Sequence, residues 1–104
     1  MKELIGFVFN PLTQNSDTFV QELITELNLG NGSWATPTSN LENRSEELSE
    51  TKVIVIVGGD GTILRAVRVL SEYNIPMVAI NMGRIGFMSE LTVEEAKDKL
   101  SKYL

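Results

Sequence analysis

Five residues carry the densest chemistry in this sequence: Gly58-Gly59-Asp60-Gly61-Thr62, between the apolar run Val53–Val57 and the segment ILRAVRVL. Glycines admit backbone angles closed to other residues and let another group approach the main chain. A helix that starts here turns its first N–H groups towards whatever occupies the turn, and they favour an anion such as phosphate. The lysine of the P-loop pattern G-x-x-x-x-G-K-[ST] is absent, and Leu64 stands where G-x-G-x-x-G needs its third glycine. Asp60 sets this turn apart. Its carboxylate repels a bound phosphate unless a metal ion or a proton-transfer role offsets that cost. Beside a phosphate it is placed to accept a proton from a substrate hydroxyl, or to work with Mg²⁺. The plainer alternative is a tight strand-to-helix turn in which Asp60 caps the helix.

Composition limits what else takes part. The 104 residues contain no cysteine and no histidine. Disulfide frameworks, thiolate nucleophiles, the usual structural zinc sites and every Ser-His or Cys-His pair are thereby excluded. Proton chemistry must rest on Asp, Glu, Lys or Tyr. The net charge is −5, and residues 1–50 hold eight acidic against two basic residues. Such a chain lacks the basic surface that nucleic-acid phosphates require. No apolar run is long enough to span a membrane, and MKELIGFVFNP does not read as a signal peptide. The expectation is a cytoplasmic protein with no nucleic-acid or membrane partner.

The elements that must hold the glycine turn follow from the apolar pattern. Residues 4–9 (LIGFVF) read as a strand ending at Asn10-Pro11, a turn signal. Phe19, Val20, Leu23, Ile24 and Leu27 recur at helical spacing, with Ser16, Asp17 or Thr18 as the cap. Residues 33–36 read as a short strand before Pro37, with Trp34 a packing residue, and residues 38–50 as an exposed acidic loop with at most one helical turn. Val53–Val57, five consecutive β-branched residues, fits the interior of a parallel sheet. A helix over about 63–73 would bury Ile63, Ala66, Val67 and Leu70, leaving Arg68 on the solvated side. Met77–Ile80 reads as a further strand, and a last helix opens at Thr92-Val93-Glu94-Glu95, a capping box. The pattern predicts one α/β domain over residues 1–104: an open, mostly parallel sheet of about four strands flanked by helices, simplest in the order 2-1-3-4.

Parallel strands send their carboxyl ends to one edge, where ligands of open α/β sheets bind. That edge would gather Asn10-Pro11, the glycine turn and the segment Asn81-Met82-Gly83-Arg84-Ile85-Gly86-Phe87. An aromatic ring with nearby cations suits a nucleotide, although Phe87 serves equally well as loop packing.

GGDGT followed by ILRAVRVL, then NMGRIGF about twenty residues on, resembles the N-terminal domain of NAD kinases. With the strand ending at Asn10-Pro11, the likeness covers essentially the whole chain. GGDGT alone is shared with diacylglycerol and sphingosine kinases, and 6-phosphofructokinases have a close variant. The second motif, Gly-x-Leu/Ile-Gly-Phe, separates NAD kinases from both.

The resemblance implies a phosphofructokinase-like domain. It also implies phosphoryl transfer from ATP, another nucleoside triphosphate or polyphosphate to the 2′-hydroxyl of the NAD adenosine ribose, giving NADP. By position, Asp60 is the base and Gly61 and Arg65 contact NAD. Phe87 lies against the dinucleotide, and Gly58, Gly59, Thr62, Asn81 and Gly83 complete the nucleotide site. A divalent metal, usually Mg²⁺, accompanies the donor, with no ligand of its own assigned here. Ile85 and Met88 stand where leucine is frequent. Members of the family continue into an all-β domain bearing an Asn-Glu or Asn-Asp pair that binds the dinucleotide, and they form homo-oligomers. Nothing in this chain matches that pair. The expectation is therefore the N-terminal part of an NAD kinase, with little or no activity in the 104 residues alone. The competing readings are a stand-alone nucleotide-binding module and a lipid kinase domain.

Overall fold

The computed structural model describes residues 3–13, 15–82 and 91–92 of the chain. Five strands form one sheet in the order β2-β1-β3-β4-β5, and every pair is parallel. They are β1 (Leu4–Phe9), β2 (Ser33–Pro37), β3 (Thr51–Gly58), β4 (Met77–Asn81) and β5 (Leu91–Thr92). The first four follow the expected order. The two-residue β5 was not anticipated, because a strand that short leaves no period to read. Residues 83–90 and 93–104 lie outside the described residues, and with them Gly83, Phe87 and the expected last helix.

The apolar alternation along each strand assigns the helices to opposite faces. Val53, Val55 and Val57 of β3 join Ile5, Phe7, Val78 and Ile80 in one buried cluster with Phe19, Val20 and Leu23 of α1 (Ser16–Glu26). Ile54 and Ile56 point the other way, towards Ile63, Ala66 and Leu70 of α3 (Asp60–Leu70). β3 is thus covered on both sides, which is why its sequence shows no polar alternation. Burial of each such side chain stabilises the fold by roughly 1.5–3 kcal/mol relative to exposure.

Three local expectations need correction. Residues 38–50 hold the one short helix expected, α2 (Ser45–Ser49), but a 3-10 segment, Thr38–Asn43, precedes it and the stretch is not wholly exposed. Leu41 and Leu48 are fully buried on the α3 side of the sheet. Two apolar residues among thirteen are too few for a periodic signal, yet each plugs the core. The helix after the glycine turn spans Asp60–Leu70, not 63–73. It starts earlier because Ile63 N–H already bonds the Gly59 carbonyl, at 3.1 Å. Finally, α1 has no side-chain cap: Asn15 precedes it in the left-handed region at φ 67°, which asparagine tolerates better than most residues. The Ser16 hydroxyl is engaged elsewhere.

Gly6 of β1 permits one close approach across the sheet. A β-carbon there would lie 2.5 Å from Trp34 Cζ2 and 2.7 Å from Ile54 Cδ1. The indole fills that space, and its Nε1–H donates to Thr51 Oγ1 at 2.9 Å. Thr51 in turn donates to the Glu47 carbonyl at 2.6 Å, tying α2 to the start of β3. Trp34 is the packing residue its sequence context suggests.

Candidate active site

The strand order reverses direction between β1 and β3. From β1 the chain crosses by α1 to β2 on one side, and from β3 it crosses by α3 to β4 on the other. The loops leaving β1 and β3 therefore diverge over opposite faces, and a crevice opens between them at the carboxyl edge. A cavity of about 620 Å³ occupies that edge, lined by Asn10–Thr13 after β1, Thr38 and Ser39 after β2, and Gly59, Gly61, Thr62 and Arg65 at the start of α3.

Each wall is held by identifiable contacts. On the β1 side, the Asn10 side chain accepts the Leu12 N–H at 3.0 Å, and the Asn10 carbonyl accepts the Thr13 N–H at 2.9 Å. This is the self-bonded turn that asparagine favours. Leu12 is thereby fixed in the open, 91% exposed. On the α3 side, Gly58 ends β3 and Gly59 is the residue before the helix. A β-carbon at Gly58 would lie 2.9 Å from three side-chain atoms of Thr62, so glycine there lets the first turn fold back onto the strand end. The helix runs for 11 residues. Its leading N–H groups have no intrahelical acceptor and carry the positive end of the helix dipole. Arg65, exposed one turn on, adds a full positive charge to the same wall.

Asp60 is the first residue of α3 and makes no capping bond from its side chain; the residue in the capping position is Gly59. The capping position of the plainer reading thus belongs to Gly59, while the Asp60 carboxylate stands in the first turn at the positive end of the helix. Asp60 is exposed, and it stands between Gly59 and Gly61, which line the cavity, without lining it itself.

The fold brings together most of the residues singled out from the sequence. Gly59, Gly61, Thr62 and Arg65 share the cavity wall, and Gly58 lies beneath Thr62. Asn81 is buried at the end of β4, in register with Gly58, and Met82 N–H reaches the Gly58 carbonyl at 3.3 Å. Gly83 and Phe87 lie outside the described residues. Thr38 and Ser39 were missed. Their signal was the parallel placement of β2 beside β1, which sends the end of β2 to the same edge. Arg68 is exposed, as expected of a solvated position.

Among the described residues no group of three acidic side chains comes together to hold a metal ion. Asp60 alone is not a cage for such an ion. Also among the described residues, no helix is long and apolar enough to cross a membrane.

Comparison with known proteins gives this geometry a context. Residues 5–104 match the family described as the ATP-NAD kinase N-terminal domain. A curated relative from Dehalococcoides mccartyi strain BAV1, called NAD kinase, is 32% identical over 105 residues, covering 100% of this chain and 37% of its own length. Another of that name, from Methanopyrus kandleri, is 36% identical over 81 residues, 78% of this chain and 28% of its own length. The chain thus spans roughly a third of these relatives. Among solved structures, a protein described as a diacylglycerol kinase from Bacillus anthracis strain Sterne superposes with a TM-score of 0.69 at 17% identity, over 98% of this chain and 42% of that one. A lysine decarboxylase from Francisella novicida superposes at 0.62 and 15% identity, over 98% of this chain and 17% of that one. Identities this low show a shared fold and nothing finer.

Proposed function

The chain belongs to the NAD kinase family through its N-terminal domain, and from that membership we propose that the protein phosphorylates the 2′-hydroxyl of the NAD adenosine ribose to give NADP. The donor is ATP or another polyphosphate. The observation that carries the proposal is the setting of Asp60. Its carboxylate is exposed, engaged in no cap, and flanked by the two glycines that line a cavity at the positive end of α3.

In this reading the Asp60 carboxylate takes the proton of the 2′-hydroxyl as its oxygen attacks the terminal phosphorus of the donor. The bond from that phosphorus to the bridging oxygen breaks, and the electron pair leaves with the shortened polyphosphate. The N–H groups at the start of α3 and the Arg65 guanidinium stabilise charge on the nucleotide phosphates in the cavity. Gly61 and Arg65 contact NAD, and Asn81, Gly83 and Phe87 complete the nucleotide site. A divalent cation travels with the donor phosphates, which it neutralises when bound. The dinucleotide cleft also needs the all-β domain of the family, so residues 1–104 alone are inactive. The working enzyme is a cytoplasmic homo-oligomer.

The test offers ATP and, separately, NAD, diacylglycerol or sphingosine to the protein that carries this chain. NADP is the expected product, and it falls by about two to four orders of magnitude in Asp60→Asn. Phosphorylated lipid in place of NADP, or normal NADP formation by Asp60→Asn, would overturn the reading.

A further inference from the structure

Two consecutive carbonyls at the end of β1 each accept a hydrogen bond from a hydroxyl on a buried residue. Thr38, 6% exposed after β2, donates its Oγ1–H to the Phe9 carbonyl at 2.8 Å. Ser16, fully buried at the start of α1, donates its Oγ–H to the Asn10 carbonyl at 2.6 Å. We propose that Ser16 is a positioning residue that, together with the cavity-lining Thr38, fixes the β1 wall of the cavity for the nucleotide it holds; this rests on the kinase reading above.

Phe9 is in register with Pro37, the last residue of β2, so its carbonyl faces Thr38, the residue after the strand. The Thr38 hydroxyl supplies a donor at that point. One residue on, β1 has also ended, and the Asn10 carbonyl turns to Ser16 and to the Thr13 N–H. Asn10 is the hub of the wall: its side chain holds Leu12, and its carbonyl joins the loop to α1. Without the two hydroxyls, the strand end keeps its apolar packing and loses the bonds that set where Asn10–Thr13 stands. The distance from this wall to Gly59, Gly61 and Arg65 is then free to vary. A ligand gripped from both walls is held less tightly, whereas the reacting carboxylate, on the α3 side, is untouched. Thr38 itself lines the cavity, whereas Ser16 lines no part of it, so the effect of Ser16 must pass through Asn10 and Ser16→Ala is the variant that decides the positioning role.

The experiment replaces each hydroxyl and then restores it, in the protein that carries this chain. Ser16→Ala and Thr38→Val are expected to raise KM for one of the two substrates, NAD or ATP, by about fivefold or more, the scale of one lost hydrogen bond, with kcat within about twofold. The substrate that responds is the occupant of the cavity. Ser16→Thr and Thr38→Ser, which keep the hydroxyl, should restore KM. Hydrogen exchange is read alongside: the Leu12 and Thr13 amides should exchange faster in the two deletion variants and at the original rate in the conservative ones. Unchanged KM for both substrates, or equal loss of kcat and KM that the conservative variants do not repair, overturns the positioning role. If the unsubstituted protein makes no NADP, the kinase reading fails on its own. The exchange measurement then still decides the wall, since unaltered exchange at Leu12 and Thr13 shows that the hydroxyls do not hold it.

Discussion

Thr62 closes over Gly58. Three atoms of its side chain lie 2.9 Å from where a β-carbon on Gly58 would stand, and the last residue of β3 and the first turn of α3 are in contact there. Because the crowded atoms include Thr62 Cβ, which is fixed to the helix backbone, no rotamer change relieves an added methyl group.

Gly58→Ala should therefore displace the start of α3 and cost about 1–3 kcal/mol of stability, the range for overpacking a tight site. Urea unfolding reads the loss. NADP formation should fall with it, since Gly59, Asp60 and Gly61 shift together. A variant as stable and as active as the parent protein would show that the contact is loose.

Arg65 lies on the cavity wall and is exposed. Its charge should be felt by a bound phosphate more than by the fold. Arg65→Ala is expected to raise a substrate KM by about tenfold or more, as for loss of a charged hydrogen bond, with the unfolding midpoint unchanged. Arg65→Lys should recover part of the affinity, because the charge returns without the planar fork. Titration of KM in each variant, with salt held constant, checks this. Equal KM values in all three would remove Arg65 from the site.

Gly6 and Trp34 form a second close pair, and neither lines the cavity. Gly6→Ala forces a β-carbon to within 2.5 Å of the indole and should destabilise the domain by about 3 kcal/mol. Trp34→Phe deletes the bond to Thr51 and should cost about 1 kcal/mol, since Thr51 keeps its bond to Glu47. Denaturant midpoints rank the two. The reverse order would mean that the indole can move aside.

Glu47 pairs with Arg44 at 2.9 Å, with its side chain 34% exposed. Its own backbone N–H, then the Arg44 guanidinium, holds the carboxyl below the usual glutamate range. A depressed folded-state value means that the pair stabilises the fold above the unfolded pKa, about 4.3, and that this is lost as pH falls through the folded value. Glu47→Gln should be slightly less stable than the parent at neutral pH, the gap closing on acidification. Thermal melts between pH 7 and about 3 test it. A gap that widened with acid would reverse the sign.

The legibility of the fold depended on how many neighbours each residue needed in order to be understood. Val53–Val57 announced a buried parallel strand by itself, since a run apolar on both faces has few other uses. Leu41 and Leu48 announced nothing. Two leucines in an acidic stretch look like loop residues until the packing shows both sealed on the α3 side. The same holds for the site. Glycine and aspartate types disclosed the turn, whereas Thr38 and Ser39 entered only once β2 lay beside β1.

The sequence by itself determined the parallel α/β class, the glycine turn, the family likeness and the absence of histidine and cysteine from any proton chemistry of these residues, because each is a property of residue type and local period. Tertiary structure alone decided that Asp60 begins a helix without capping it, that Thr62 rests on Gly58, and that the hydroxyls of Ser16 and Thr38 meet the end of β1. The Thr38 bond joins residues distant in the chain and is set by β2 lying beside β1. The others turn on how each helix leaves its strand, which residue type and period do not carry.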